Sequence, residues 1–379
     1  MNLVVERFNA TDTMYIKFSA FVSLFLAFYA TGLDGLILWL TSWFATYACL
    51  VYVIWKLSHK LTKYYILNQI GRTSGHGKTV VITGCDTGFG HLTALRLNKA
   101  GFYVIAGCLN PDSDNSQRLM LDCQDKSRMQ IVKLDVTSAE DIQNVKSTVE
   151  EVVREKSLQF YALVNNAGYL RGSMIEWHQE SEMLDSFRRT YDVNVFGGIH
   201  LTRVLLPLLR KNRAGRVVTV TSIAVQLVCA GIPAYVSSKH AMSAFCESLD
   251  FELQQFSIRS VRIEPWGYKT ELMKTMVTGS MRDEFYNNST PDVQQDYRTS
   301  YEQQVQFASS LDNSYEKDPN HVAEAIYDGI TSAEPDPIVT VMSWKRKLLV
   351  LSTIYLCPNE LRSILLPLTI YLSTLVNLN

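Results

Sequence analysis

The chain has 379 residues, with 36 lysines and arginines against 37 aspartates and glutamates, for a net charge of −1. That balance excludes a nucleic-acid binder, which needs a basic face, while 47% apolar residues suffice for one large domain or two smaller ones. The seven cysteines are scattered, odd in number and without a C-x-x-C pair, so a disulfide framework and a structural zinc are both disfavoured, no metal is expected, and a reducing compartment fits.

Two apolar stretches open the chain, at 18–33 and 35–55, parted by Asp34. At 1.5 Å per residue the second would cover roughly 30 Å, the thickness of a hydrocarbon core. Trp39, Tyr52 and Trp55 stand near its ends, as interfacial aromatics do. Residues 1–56 therefore read as a membrane anchor of one or two helices. Lys56, Lys60, Lys63 and Arg72 follow and would keep the rest of the chain on the cytosolic side. A cleaved signal peptide would leave the second stretch unexplained, and a buried core helix fits its length and aromatics less well. Residues 57–77 read as a linker with a basic, amphipathic start.

From Lys78 the pattern alternates strand and helix. A β-branched run at 79–83 reads as a buried parallel strand. Gly84, Gly88 and Gly90 follow it, and a helix-period stretch at 91–100 closes on Gly101. Strand, glycine turn and helix make a seat for a pyrophosphate, because glycines allow a tight turn and close approach while a helix start offers free N–H groups. Further strands are predicted at 103–107, 129–135, 161–164, 216–220, 258–263 and 337–342. Thr137-Ser-Ala-Glu140 has the form of a capping box opening a helix to about Lys156. Long helices are predicted over 183–210 and 234–255. The alternation predicts a doubly wound α/β domain over 78–343, a Rossmann-like parallel sheet of about seven strands.

An insertion at about 270–319 is polar and carries Met273, Met276, Met281, Phe285, Tyr286, Tyr297, Tyr301 and Phe307. It reads either as a lid over a ligand or as a surface helix pair whose aromatics simply pack. The tail, 344–379, is again apolar after Lys345-Arg346-Lys347, in runs too short to span a bilayer. Lying in the membrane interface, covering a pocket or completing the core are its three readings, the first two preferred.

Tyr235 and Lys239 are four apart and share a helix face. A free tyrosine is almost wholly protonated at neutral pH, and a nearby ammonium favours the phenolate. Such a phenol can exchange the proton of an alcohol or carbonyl oxygen. Alone, Tyr-x-x-x-Lys is common, but here it follows the fifth strand. Ser222 ends that strand, where ligands bind in such sheets, and serves better than Thr221, Ser237 or Ser238 to hold the substrate oxygen. Asn194 falls inside a predicted helix, where an asparagine is usually just solvated. Asn166, Ala167 and Gly168 end the fourth strand, as turn formers or cofactor contacts, and Asp135 ends the third, suited to accept from an adenine amino group.

These residues together resemble the short-chain dehydrogenase/reductase family. The likeness rests on Thr83-Gly-Cys-Asp-Thr-Gly-Phe-Gly90, Asp135, Asn165-Asn-Ala-Gly168, Asn194, Ser222, Tyr235 and Lys239. The glycine motif, with Ala106-Gly-Cys-Leu109, is most similar to the branch of retinol, hydroxysteroid and hydroxybutyrate dehydrogenases. The resemblance implies a catalytic set of Ser222, Tyr235, Lys239 and Asn194. In it, Lys239 holds the nicotinamide ribose and Asn194 positions a water that relays protons. It also implies that Gly84, Asp86, Thr87, Gly88, Phe89, Gly90, Asp135, Asn166, Ala167, Gly168, Tyr235, Lys239 and Thr270 contact the cofactor. Where that family reads Pro-Gly after the sixth strand, this chain reads Pro265-Trp266-Gly267, which puts the loop path in question.

The second strand ends without an acidic residue to select NAD, and no basic residue follows for a 2′-phosphate until Arg118, which tilts the expectation to NAD, with NADP possible. An anchored enzyme suits a lipophilic substrate such as a steroid or retinoid, at the endoplasmic reticulum with its catalytic domain facing the cytosol. A homodimer through the Tyr-x-x-x-Lys helix is what the resemblance implies. The rival readings are a short hydroxy-acid dehydrogenase and a non-catalytic scaffold binding cofactor or lipid.

Overall fold

The computed structural model describes residues 71–350 except 229, 306–314, 317, 345, 348 and 349, together with scattered positions between 47 and 62. The chain divides into two compact units, Met1–Ile70 and Gly71–Asn379. The first apolar stretch, and most of the second, lie outside the described residues. Among the described residues no helix is long and apolar enough to cross a membrane.

The second unit is built on seven strands: β1 (Lys78–Thr83), β2 (Tyr103–Cys108), β3 (Met129–Lys133), β4 (Gln159–Asn165), β5 (Gly215–Val220), β6 (Ile258–Pro265) and β7 (Ile338–Val341). They form one sheet in the order β3-β2-β1-β4-β5-β6-β7, and every pairing is parallel. Side chains alternate between faces, so each strand feeds two cores. On one face Val80, Ile82, Val104, Val218 and Val261 pack with Leu97, Val322 and Ile326. On the other Val81, Ile105, Leu163 and Val217 pack with Ile142, Leu201, Leu205 and Leu249. Burial on both faces is why the strands read as continuous apolar runs rather than alternating ones.

The helices are α1 (Gly88–Lys99), α2 (Asp114–Asp122), α3 (Ala139–Glu155), α4 (Glu180–Tyr191), α5 (Gly198–Lys211), α6 (Pro233–Leu253), α7 (Glu271–Thr278), α8 (Ser280–Asn287), α9 (Pro291–Asp296) and α10 (Asn320–Thr331). Three local expectations need correction. The cap of α3 is Ser138, whose hydroxyl accepts from Asp141 N, because Thr137 is already bonded to Asp135. Residues 183–210 are two helices joined by a π turn at Asp192–Gly197. Helices α2 and α10 fill stretches that the periodicity left unassigned.

Strand order reverses at β1, which pairs β2 on one side and β4 on the other. In open α/β sheets the ligand crevice lies outside the strand ends at such a switch point. Thr83 holds this seam together: its Oγ1 accepts from Asn166 N at 2.9 Å and Ala167 N at 2.8 Å. Thr83→Val keeps the shape and removes the acceptor, leaving two donors without it. Stability should fall by about 2–4 kcal/mol in urea unfolding, and a loss under about 1 kcal/mol would contradict this role.

Candidate functional site

The glycine turn closes on itself through contacts that admit no side chain. Gly84 and Gly88 have φ of 69° and 63°, the left-handed region that glycine enters at little cost. A Cβ on Gly90 would overlap Gly84 O and stand 2.5 Å from Asn166 Nδ2. Asn166 Nδ2 donates to Thr83 O at 2.8 Å and Gly84 O at 3.0 Å, so its side chain fixes the turn. Thr87 caps α1 without a side-chain bond, which leaves the helix N–H groups facing outward. A cavity of about 600 Å³ opens there, lined by Asp86, Thr87, Gly88, Thr270 and the basic Arg118, Lys269 and Lys274. Thr270 faces Gly88 across it, with its methyl 3.7 Å from where a Gly88 Cβ would lie. A free helix start and glycine backbone suit an anionic pyrophosphate, and the three cations share the lining with Asp86, Asp122 and Glu271, the last paired with Lys274 at 3.4 Å.

Asp86 and Phe89 turn out to support the turn from their side chains. The Asp86 carboxylate accepts from Leu109 N at 3.0 Å and Asn110 N at 3.1 Å, tying the glycine turn to the loop after β2. Phe89 meets Tyr268 edge to face at 5.6 Å. Asp135 Oδ1 accepts from Thr137 N and Oγ1, a local bond that occupies one carboxylate oxygen.

Tyr235 lies in the first turn of α6, started by Pro233, and Lys239 one turn later. Both are buried, at 8% and 4% exposure. Lys239 Nζ sits 5.5 Å from the centre of the Tyr235 ring and donates to Val220 O at 3.1 Å. Burial pulls its pKa down to about 8, which still leaves it charged at neutral pH. Ser222 follows β5, and its Oγ accepts from Ala224 N at 3.1 Å, leaving its own proton to donate. Thr221, Ser237 and Ser238 donate instead to Ile263 O, Ala234 O and Tyr235 O.

The π turn rotates Asn194 inward. It is buried, not solvated. Its Oδ1 accepts from Tyr169 N at 2.7 Å, and its Nδ2 donates to Tyr169 O at 2.9 Å and Ser238 Oγ at 3.0 Å. The side chain thereby locks the chain after Gly168 to the helix carrying Tyr235. A Cβ on Gly168 would lie 3.8 Å from both Asn194 Oδ1 and Lys239 Nζ.

Trp266 is absent from the residues lining the 600 Å³ cavity. Its N–H continues the β6–β7 ladder to Val341 O, and the Arg346 guanidinium lies over its ring at 5.4 Å. The needed glycine has moved one place: a Cβ on Gly267 would run into the Tyr315 ring. Arg346 also donates to Glu316 Oε1 at 2.9 Å, fastening the start of the tail to the end of the insertion. Val350 packs with Ile223 and Leu227, just after Ser222.

A family model described as short chain dehydrogenase matches residues 78–280. The chain belongs to the short chain dehydrogenase family. It is 34% identical to estradiol 17-beta-dehydrogenase 2 of Rattus norvegicus over 59% of this chain and 57% of that protein's length. It is 31% identical to retinol dehydrogenase 7 of Mus musculus over 74% of this chain and 84% of that one. A short-chain dehydrogenase from Streptomyces avermitilis matches with TM-score 0.58 at 24% identity, covering 77% of this chain and 99% of that chain, which shows the shared fold.

Sequence reasoning named Arg118 only as the first basic residue after the second strand, and passed over Lys269, Lys274 and His91 as cavity-lining residues. The lysines and His91 had no signal beyond standing next to assigned positions, and burial keeps His91 below the usual imidazole range. The tightest point tested by substitution is Gly90. Gly90→Ala should cut cofactor binding by about 100-fold or more while the chain stays folded, measured by NADH fluorescence and circular dichroism. Affinity within about threefold of wild type would contradict the close-packed turn.

Proposed function

We propose that the chain is an NAD-dependent oxidoreductase interconverting an alcohol and a ketone or aldehyde on a lipophilic substrate, such as a steroid or retinoid. The observation that carries this is the setting of Tyr235. A buried ammonium stands behind its ring. Leu170, Trp177, Ala224, Ile232, Met281, Phe285 and Tyr286 form one apolar cluster with it. A phenol backed by a cation exchanges protons readily, and apolar walls favour a substrate with little polar surface.

The cradle fits a dinucleotide: Gly90 leaves no room for a side chain, and the start of α1 lacks its own cap. Gly84, Thr87, Gly88, Gly90 and Thr270 would hold its pyrophosphate, with Asp135, Ala167 and Gly168 toward the rest. A bound nicotinamide would supply the hydride acceptor for oxidation at the alcohol carbon and the hydride donor for reduction at the carbonyl carbon. Ser222 donates to the substrate oxygen and orients it. Tyr235 takes the hydroxyl proton during oxidation and gives it back during reduction. Lys239 stabilises the phenolate and binds the ribose. Asn194 holds the loop and helix that set these distances.

The insertion supplies the apolar wall. Trp177 meets Tyr286 at 5.0 Å and Tyr297 at 6.1 Å, and Tyr286 stacks on Tyr301 at 4.0 Å. Its aromatics pack among themselves, as the surface-pair reading has it, while Met281, Phe285 and Tyr286 join the cluster around Tyr235, which is what supports the lid reading. Asp86 supports NAD over NADP. Its carboxylate sits under the loop after β2, where a 2′-phosphate would bring more negative charge, although Arg118 lines the same cavity.

The anchor extends the proposal to the membrane. The described apolar residues Tyr47, Leu50, Val51, Tyr52, Ile54, Trp55, Leu57 and Leu61 are all exposed. Helical residues apolar on every side suit lipid better than water. The following basic residues support an endoplasmic reticulum site with the catalytic domain in the cytosol. A homodimer through α6 is part of the same proposal.

Purified full-length protein in detergent should reduce NAD with retinols or hydroxysteroids, and should use NAD at least about tenfold better than NADP by kcat/KM. Tyr235→Phe should lower kcat by about 100- to 10 000-fold with NADH binding kept. Turnover surviving that change, or no turnover across the panel with cofactor bound, would overturn the reading.

A further inference from the structure

A buried carboxylate that the proposed chemistry does not use lies beside the site. Glu264 is the next-to-last residue of β6 and is 1% exposed, the lowest of any acidic residue described. Residues two apart on a strand share a face, so Glu264 lies on the same side of the sheet as Arg262. Arg262 Nε stands 3.5 Å from Glu264 Oε1, an ion pair without hydrogen-bond alignment. Arg262 Nη1 donates to Ser243 O of α6 at 2.9 Å. The other carboxylate oxygen, Oε2, accepts from Gln226 Nε2. Burial pushes the Glu264 pKa up, while that amide and the guanidinium favour the carboxylate.

Gln226 closes the turn that Ser222 opens. Ser222 caps a short 3₁₀ turn, Ile223–Val225, and at its far end Gln226 N donates to Ile223 O at 2.8 Å. So short a turn has weak hydrogen-bond geometry of its own. The ladder of β5 on β6 stops at Val220 opposite Ile263. Beyond it the chain is sewn to β6 at two neighbouring points. Thr221 N donates to Ile263 O at 2.8 Å just before Ser222, and Gln226 Nε2 bonds the Glu264 side chain just after the turn. Gln226 Oε1 is buried without a partner, so the amide is held by that one bond. Ala224, inside the turn, packs in the same cluster as Tyr235.

We propose that Gln226 and Glu264 are positioning residues for Ser222: the buried carboxylate, braced by Arg262, anchors the Gln226 amide and so sets where the Ser222 hydroxyl meets the substrate oxygen. A catalytic donor works only when held within about 0.5 Å of its productive place. The backbone at Thr221 fixes one end of the turn, and the Gln226–Glu264 bond fixes the other. Through Arg262 and Ser243 the same carboxylate is tied to α6, the helix that carries Tyr235 and Lys239. The hydroxyl and the phenol are thereby referred to one buried group, although they come from different elements.

The kinetic arm of the test rests on the oxidoreductase reading; the structural arm does not. Gln226→Met keeps the side chain's length and removes the bond. It should lower kcat by about 10- to 100-fold, with KM for the alcohol and NADH binding within about threefold of wild type. Glu264→Gln still offers Gln226 an amide oxygen and should keep kcat within about threefold. The deciding measurement is a cycle with Ser222→Ala. A residue that acts through Ser222 has little left to lose once the hydroxyl is gone, so there Gln226→Met should lower kcat by less than about twofold. A loss as large as in the wild-type background would mean a general packing role and overturns the proposal, as does wild-type kcat in Gln226→Met. Failure of the oxidoreductase reading shows separately, as no turnover by the wild-type protein. The positioning claim is read in either case from crystal structures of cofactor-bound wild type and Gln226→Met. Displacement of Ser222 Oγ by more than about 0.5 Å supports it, and an unmoved Oγ overturns it. Should Gln226→Met fail to fold, Gln226→Asn, with an amide one methylene short of Glu264, takes its place in both arms.

Discussion

A positive charge buried among the strand ends is the constraint to which the rest of this molecule answers. Lys239 is almost out of contact with solvent, and desolvation alone would drive it toward the neutral amine. The fold opposes that with a backbone carbonyl and the π face of Tyr235. Each comes from a different element: β5 and the first turn of α6. The charge is useful only because these elements hold their register, so the parallel sheet is as much a part of the site as the phenol.

The same logic organises the cofactor side. The Thr83 hydroxyl joins the ends of β1 and β4, Asn166 closes the glycine turn, and Asp86 draws in the loop after β2. These bonds satisfy the protein's own backbone, and the N–H groups at the start of α1 are left for a ligand. The proposed chemistry on a lipophilic alcohol would need an apolar wall beside a polar pair. The insertion provides it with Met281, Phe285 and Tyr286, which reach the cluster containing Tyr235.

Much of this was legible in the sequence because it is periodic or local. Buried strands announce themselves as β-branched runs, the glycine spacing marks the turn, and Tyr235 with Lys239 falls at helical spacing after β5. What was hidden depends on long-range contacts. Asn194 reads as a tolerated mid-helix residue until a π turn faces it to Tyr169. Asp86 reads as a cofactor contact and lines the cavity, but nothing in the sequence signals that its carboxylate also bonds residues 23 and 24 positions away. The capping box shifts by one because Asp135 competes for Thr137. The extra Trp266 put the loop path in question, and the Tyr315 ring, distant in sequence, is what requires a glycine at 267. Helix α10 was missed although its start is marked by Asp318-Pro319, where Asp318 Oδ1 accepts from Asn320 N at 3.0 Å, and Val322, Ile326 and Ile330 face the core at helical spacing.

The central claim is that Lys239 is a buried cation poised beneath the phenol, and its titration can be observed directly. Heteronuclear NMR of lysine-labelled protein, with Lys239→Met to assign the signal, would follow the Nζ of this residue against pH. The account predicts a midpoint near 8, well below the ordinary lysine value of 10.5. A midpoint at the ordinary value would mean a solvated side chain, and the arrangement on which the proposed chemistry depends would not exist.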